Sequence, residues 1–294
     1  MGLYMNNTAV GGVYWNGVEA HKVYFNNVLV YEKQSLPEFT YSGTYEVVDD
    51  GSGNWRIKFL TRGIFVPAQA MTIDAFVVGG GGGGGHGEQA SSSKNMASGG
   101  GGGRTRTTKN ISLLANKSYT MVVGSGGNAN VDGGNTYMYN YDGSALIFAT
   151  GGKAGVLVRD FAQPSASGVI ATGGAGGSGG GSAGVDRSTT NLAAASAGGD
   201  DGNNGETLNG VITGGAGQGT TTREFGESDG ALYAGGGGAV AMYGGMFISK
   251  AGTGGGRYNA EATDNTGGGG GGSWASNITS KGGSGIIIIR NARG

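Results

Sequence analysis

The first 35 residues alternate apolar and polar positions in short stretches that are interrupted by turn-forming pairs. Val13-Tyr14-Trp15 runs into Asn16-Gly17, and the apolar stretches 23–25 and 28–31 flank Asn26-Asn27. Pairs of this kind between apolar stretches favour two-residue hairpin turns. The pattern predicts a small N-terminal β module over residues 1–35, followed by a polar linker that ends near Pro37.

From Phe39 onward, alternation and β-branched residues continue to favour strands with one buried face. A turn is expected at Asp49–Asn54, where Asp, Gly, Ser and Asn cluster. No segment repeats apolar residues at the spacing of a helix, so the prediction is an all-β chain. The predicted strand segments are Thr44–Val48, Trp55–Leu60, Ile64–Val66, Met71–Val78, Arg104–Leu113, Ser118–Val123, Ser144–Ala149 and Gly285–Arg290.

Glycine changes this picture, because it supplies 70 of the 294 residues while proline supplies 3. Each glycine held in an extended conformation costs about 0.5–1 kcal/mol more than alanine, so a folded chain of this composition needs dense compensating contacts. The glycine-rich segments are 79–85, 99–103, 173–181, 198–205, 214–219, 235–238, 252–256, 267–272 and 282–285.

Two interpretations of these segments remain open from composition. Glycine-rich stretches without a period are typical of flexible linkers. Against disorder, the segments contain little Pro, Lys or Glu, and strand-forming segments bracket them. The other interpretation is a bundle of polyglycine II helices, which have three residues per turn and hydrogen bonds only to neighbouring helices. A collagen helix is excluded, because the Gly-x-y period is absent and proline is scarce.

The boundaries of the glycine-rich region carry a resemblance to a known family. Met71–Val78 followed by unbroken glycine, the closing segment Gly282–Arg290 and the internal segment Tyr119–Gly127 resemble the glycine-rich domain of bacteriophage and prophage tail proteins. The resemblance covers about residues 36–294 and implies a β-sandwich with inserted glycine-rich connections that form a polyglycine II bundle. The sandwich strands would lie in 39–78, 104–149 and 285–290, and the bundle mainly in 79–103 and 151–284.

This resemblance implies a tail-tip or tail-fibre protein that binds the host bacterial surface through loops on the bundle. The expected partners are a surface glycan or an outer-surface protein, together with other tail proteins, and homotrimeric assembly is expected by analogy with tail fibres. The segment Val23–Tyr31 is similar to leader modules of such proteins, which implies attachment to the particle. The expected location is the virion tail, after synthesis in the host cytoplasm. A purely structural minor tail protein is the alternative, and a polysaccharide depolymerase is the third choice.

Aromatic residues between the glycine segments are the candidate receptor contacts. Tyrosine and tryptophan give large contact areas at low entropic cost, and loops on rigid scaffolds commonly carry recognition. Each of these side chains could instead cap the bundle, and the alternation of Tyr137, Tyr139 and Tyr141 also fits one face of a strand. The candidates are Tyr137, Tyr139, Phe161, Phe225, Tyr243, Phe247, Tyr258 and Trp274.

The remaining composition argues against several function classes. A formal net charge of −1 does not favour a nucleic-acid partner, and the longest aliphatic run, Ile286–Ile289, is too short to insert into a membrane. The chain has no Cys and only His21 and His86, so no catalytic residues, metal site or cofactor are expected, and the chain is predicted not to be an enzyme. The segment Gly198–Glu206 contains several oxygen donors, but a solvated turn is favoured there over a calcium site.

Overall fold

The computed structural model of the protein describes residues 36–51, 53–86, 95–158, 173–180, 222–242, 250–273 and 279–293. It also describes the strand segments 4–5, 8–9, 14–15, 18–19, 22–25, 28–32, 169–171, 183–185, 206–208, 211–213 and 246–248. These residues form strands joined by turns and by extended glycine-rich segments. No α-helix occurs among them, which confirms the all-β prediction for the described part of the chain.

The strands are numbered in chain order. Those up to residue 78 are β1 (Tyr4–Met5), β2 (Thr8–Ala9), β3 (Tyr14–Trp15), β4 (Val18–Glu19), β5 (Lys22–Phe25), β6 (Val28–Glu32), β7 (Phe39–Tyr41), β8 (Tyr45–Gly51), β9 (Asn54–Phe59), β10 (Gly63–Pro67) and β11 (Met71–Val78). Those beyond it are β12 (Asn95–Ala97), β13 (Thr105–Leu113), β14 (Tyr119–Val122), β15 (Thr136–Tyr139), β16 (Ala145–Ala149), β17 (Leu157–Val158), β18 (Val169–Ala171), β19 (Ala183–Val185), β20 (Glu206–Leu208), β21 (Val211–Thr213), β22 (Val240–Met242), β23 (Met246–Ile248) and β24 (Ile286–Asn291).

The N-terminal strands form antiparallel pairs at the turns that the sequence predicts. Trp15 pairs with Val18 across Asn16-Gly17, and Phe25 pairs with Val28 across Asn26-Asn27. The next turn is tighter than predicted, since β8 continues to Gly51 and β9 begins at Asn54. Gly51 has a φ of +76°, which a side chain would strain, and its N–H donates to Oδ1 of Asp49 at 2.8 Å.

Two five-stranded antiparallel sheets share one hydrophobic core. The first sheet has the order β16-β15-β14-β10-β7, and the second has the order β13-β11-β24-β9-β8. The inward side chains of the first sheet include Phe65, Tyr119 and Met138, and they meet inward side chains of the second sheet such as Ile57 and Ile287. β24 lies between β11 and β9, so the C-terminal strand completes a sheet that the N-terminal half of the chain begins.

Strands β11 and β24, in the interior of the second sheet, are buried on both faces. Phe76, Ile286 and Ile288 point away from the shared core and pack against Phe225 and Tyr233. These two residues belong to segment 222–234, which crosses the outer face of the sheet and includes a 3₁₀ turn at Glu224–Gly226. A continuous apolar run such as Ile286–Ile289 is what a strand covered on both sides requires.

Glycine-rich segments connect the two sheets and form a separate layer, here called the glycine lattice. Its members are defined by the backbone hydrogen bonds that join them, and they are residues 79–86, 98–104, 124–134, 150–156, 173–180, 233–239, 250–257, 262–273 and 279–285. The segment 124–134 was predicted to lie among the sandwich strands, but it leaves β14 at Val122 and bonds to the glycines that follow β11.

The bonding of segment 79–85 repeats every three residues. The N–H groups of Gly79, Gly82 and Gly85 donate to the carbonyls of Arg104, Gly101 and Ser98, at 2.8–2.9 Å. Those of Gly80 and Gly83 donate to segment 131–134, and those of Gly81 and Gly84 donate to segment 280–283. The N–H donors of 79–85 therefore point in turn at three different neighbouring segments.

The hydrogen bonds that the carbonyl groups of this segment accept also repeat every three residues, and they come from three other stretches of backbone. Those of Gly80 and Gly83 accept from residues 152 and 155, those of Gly81 and Gly84 from residues 127 and 130, and those of Gly82 and Gly85 from residues 270 and 273. All of Gly79–Gly85 are buried. The neighbours are so close that a Cβ atom at any of these positions would overlap a backbone carbonyl oxygen, such as that of Asn128 for Gly83.

Candidate functional site

The molecule has two distinct ends along the direction of β11. Val78 pairs with Thr105 and Ile286 where the sheets meet the lattice, and segment 79–85 then runs away from the sheets. The opposite end of β11 follows Pro67, which pairs with Phe39 of β7. Because β7 is the first strand after residue 35, the N-terminal segment joins the sheets at the end remote from the lattice.

The far end of the lattice carries a small sheet with the strand order β17-β12-β22-β23. Met96 of β12 pairs with Val158 on one side and with Ala241 on the other. Ala97 and Val240 are buried there, with Leu157 and Tyr258 packed against them. Sequence patterns do not predict this sheet, because its strands are only two or three residues long and lie among polar and glycine residues.

Two of the predicted contact residues, Tyr137 and Tyr139, lie on strand β15 and not on a loop. Their rings are stacked at 5.2 Å and 14°, and the ring of Tyr137 also stacks on Phe148 at 5.6 Å and 18°. The guanidinium carbon of Arg106 lies 5.6 Å from the centre of the Phe148 ring. The strand-face interpretation therefore describes these tyrosines better than the loop interpretation, and they form an aromatic row on the outer face of the first sheet.

Phe225 was predicted as a surface contact, but its side chain is only 5% exposed. Its ring packs on Phe76 at 6.0 Å, and the guanidinium carbon of Arg290 lies 4.0 Å from the ring centre. Burial between a sheet and an arginine leaves this ring unavailable to a receptor. The local sequence could not reveal this burial, because Arg290 and Phe76 lie far from Phe225 in the chain.

Of the other five predicted contacts, the structure describes two. Tyr258 is half-buried and packs on the far-end sheet. Phe247 lies on β23 opposite Ala241. Phe161, Tyr243 and Trp274 lie outside the described residues, as does the oxygen-rich segment from Gly198 to Gly205. Met242, directly before Tyr243, belongs to the far-end sheet, and Ser273, directly before Trp274, bridges to His86 at that end.

A charged cluster holds segment 222–234 on the second sheet. The side chains of Arg290 and Asp74 are 1% and 0% exposed, and Nε of Arg290 donates to Oδ2 of Asp74 at 3.2 Å. Nη1 of Arg290 also reaches Glu227 at 2.7 Å, and Arg56 bridges Asp50 and Glu224 at 2.7 Å each. Sequence analysis missed this cluster, because its charged residues come from four separate stretches of the chain.

The cluster changes the proton affinity of two of its members. Burial alone would raise the pKa of the Asp50 carboxyl, but hydrogen bonds from Arg56 and Arg293 outweigh it and hold this pKa below its usual value. Burial, followed by the charge of the Glu224 carboxylate, raises the pKa of the Tyr233 hydroxyl. Asp50 is therefore ionised and Tyr233 neutral at neutral pH.

A cavity of about 210 Å³ opens beside the cluster, lined by Asp50, Arg56, Glu227, Arg290 and Arg293 among others. The carboxylates of Asp50, Glu224 and Glu227 are engaged by arginines, and within the described ranges no group of three His, Cys, Asp or Glu side chains is arranged to hold a metal ion. No helix among the described residues is long and apolar enough to cross a membrane. The cluster is therefore described as a structural contact between the sheet and segment 222–234.

Comparison with known proteins identifies the region that contains the lattice and the strands of the two sheets from β10 onward. A search of curated proteins found no match to this chain. The family model described as a glycine-rich domain matches residues 61–292, which run from just before β10 to the last residue but one of the described chain. Since this match covers most of the sequence, the chain belongs to the glycine-rich domain family.

Proposed function

We propose that this chain is a tail-tip or tail-fibre protein of a bacteriophage or prophage, which binds the host bacterial surface through loops held by a bundle of polyglycine II helices. The bundle would extend from one end of a β-sandwich. The observation that carries the proposal is the three-residue period of the hydrogen bonds made by Gly79–Gly85. A polyglycine II helix has three residues per turn and no internal hydrogen bonds, so its amide groups must bond to neighbouring helices.

A bundle of this kind suits recognition because it holds its connections rigidly without using side chains. Packed backbones with no Cβ atoms between them leave few alternative arrangements, so the bundle ends are fixed relative to one another. Residues on connections at those ends can then vary without changing the scaffold. Binding residues commonly lie on loops that a rigid framework positions in this way.

The two ends of the molecule support a particle-borne adhesin. The N-terminal segment joins β7 at the end of the sheets remote from the lattice, and segment 79–85 leads away from that end. Attachment through the N-terminal β module would therefore point the lattice outward. The expected partner at the far end is a surface glycan or an outer-surface protein, and tail proteins are the partners at the other end.

Binding to intact bacteria tests this function. The fluorescently labelled protein would be applied to a panel of strains beside a far-end variant with Tyr243→Ser and Trp274→Ser, which directly follow the far-end residues Met242 and Ser273. The matched control carries Tyr137→Ser and Tyr139→Ser on the first sheet. Strain-specific binding that the far-end variant loses and the sheet variant keeps is the expected result. Equal binding by all three proteins, or none to any strain, would overturn the assignment of recognition to the far end.

One observation favours the second candidate, a structural tail component without receptor contact. The predicted contact residues that the structure describes with their side chains are engaged internally: Phe225 is buried, Tyr258 packs on the far-end sheet, and Tyr137 stacks with Tyr139. Particles that assemble and infect normally with the far-end variant would favour this candidate.

A further inference from the structure

The two open edges of the paired sheets carry opposite charge. β13 and β16 end the two sheets on one side, and β8 and β7 end them on the other. Residues 104–117, which include β13, contain four Lys or Arg residues and no Asp or Glu. Residues 36–54, which include β7 and β8, contain four Asp or Glu residues and no Lys or Arg. Asp50 pairs with Arg56 and Arg293, and Glu46 pairs with Lys58, which leaves Glu38 and Asp49 as the carboxylates of this edge that no cation of the described residues pairs with. A basic edge and an acidic edge thus lie on opposite sides of one domain.

The basic edge presents exposed groups beside an aromatic ring. Arg106 and Lys109 are both exposed, and Phe148, over which Arg106 lies, is 40% exposed. Neither cation forms an ion pair with a carboxylate of the described residues. Strand β13 has no hydrogen-bonded strand partner on its outer side within the described ranges. An anionic surface with an aromatic or aliphatic group would complement this edge.

The acidic edge has those properties. Glu38 is exposed, and Glu46 reaches only Lys58, at 3.5 Å, with its own side chain 55% exposed. Asp49 is exposed and bonds through one oxygen to the turn at Gly51. Beside them Tyr45 is 45% exposed, with its ring against Phe39 at 5.1 Å. Each edge therefore offers charge and aromatic surface that matches the other edge.

From this complementarity we infer that copies of this chain associate head to tail, with the basic edge of one copy on the acidic edge of the next. A contact between two different surfaces repeats by rotation, and it closes into a ring where the rotation permits. Complementary charge favours this pairing over contacts between like edges, which would place cations on cations or carboxylates on carboxylates. The inference does not depend on the proposed receptor, because neither edge includes a far-end residue.

Sedimentation of the full-length protein at several concentrations and salt levels tests the inference. The basic-edge variant carries Arg106→Glu and Lys109→Glu, the acidic-edge variant carries Glu38→Lys and Glu46→Lys, and a fourth protein carries all four changes. The matched control reverses Lys250 and Arg257, which are exposed on the lattice. Circular dichroism and melting temperatures establish that each variant is folded.

The wild type and the control should associate reversibly, with an apparent dissociation constant that rises at least about tenfold between low and high salt. Each single-edge variant should remain a monomer, and the fourfold variant should associate again because both edges are exchanged. A wild type that stays monomeric at low salt and high concentration would overturn the inference. So would association only after one edge is reversed, since the charges would then serve to keep exposed strand edges apart.

Discussion

The N–H group of Gly82 donates to the carbonyl of Gly101 at 2.9 Å. This bond joins segment 79–85, which leaves the sheets after β11, to segment 98–104, which returns to them at β13. The carbonyl of Gly82 in turn accepts from Gly270, so one glycine joins three segments of the lattice. A Cβ atom at Gly82 would overlap the carbonyl oxygen of Lys153. The bond and the overlap together explain why the chain holds so much glycine: the lattice requires backbones at this separation.

Gly83→Ala should lower the free energy of unfolding by about 3 kcal/mol or prevent folding, because its methyl group would separate segment 79–85 from segment 128–131. Gly134→Ala is the matched control, since a Cβ there would lie 3.0 Å or more from its nearest neighbours. The control should lose about 1 kcal/mol or less. Urea unfolding of both variants measures the difference, and equal losses would contradict the close packing.

Phe225→Ala should lower the free energy of unfolding by about 3 kcal/mol, because it opens a cavity between Phe76, Tyr233 and Arg290. Phe148→Ala removes a ring that is 40% exposed and should lose about 1 kcal/mol or less. Thermal and urea unfolding would measure both. A loss at Phe225 no larger than that at Phe148 would mean that segment 222–234 does not cover the second sheet in solution.

Asp74→Ala should lower the free energy of unfolding by about 3 kcal/mol, because it leaves the buried Arg290 guanidinium without its buried partner. Glu46→Ala breaks the exposed pair with Lys58 and should lose less than about 1 kcal/mol. The comparison needs only equilibrium unfolding at neutral pH. Similar values for the two variants would show that the Arg290 side chain escapes to solvent.

Asp50 should contribute to stability above about pH 4 and lose that contribution as the pH falls through its lowered pKa. The sign follows from the folded-state pKa, which lies below that of the unfolded chain, so protonation favours unfolding. Asp50→Asn should therefore destabilise the protein at pH 7 and destabilise it less near pH 2. Unfolding of the variant and the wild type at both pH values measures this, and a difference that stays constant would refute it.

Local patterns predicted several parts of the fold well. Asn16-Gly17 places the turn between Trp15 and Val18, and the alternation in Met71–Val78 gives strand β11. Both depend on neighbouring residues only. Neighbouring residues alone do not decide the position of the β15 tyrosines, because their alternation fits either one face of a strand or a loop that carries aromatic side chains. The pairing of Tyr137 with Phe148 shows that they lie on a strand.

Local patterns do not determine which distant parts of the chain come into contact. Ile288 lies between Phe76 of β11 and Lys58 of β9, and no local signal specifies which strands flank the last one. Burial of Phe225 follows from Arg290 and Phe76 in the same way. The partners of each lattice glycine are also undetermined by composition, since any glycine segment could in principle neighbour any other.

Amide hydrogen exchange of the segment Gly79–Gly85 tests most directly whether the glycine segments are an ordered scaffold. Every N–H in this segment donates to a backbone carbonyl, so these amides should exchange as slowly as those of β11 and β24 beside them. Exchange at the rate of an unstructured glycine peptide, while the two sheets stay protected, would show a flexible linker and contradict the scaffold on which the proposed function rests.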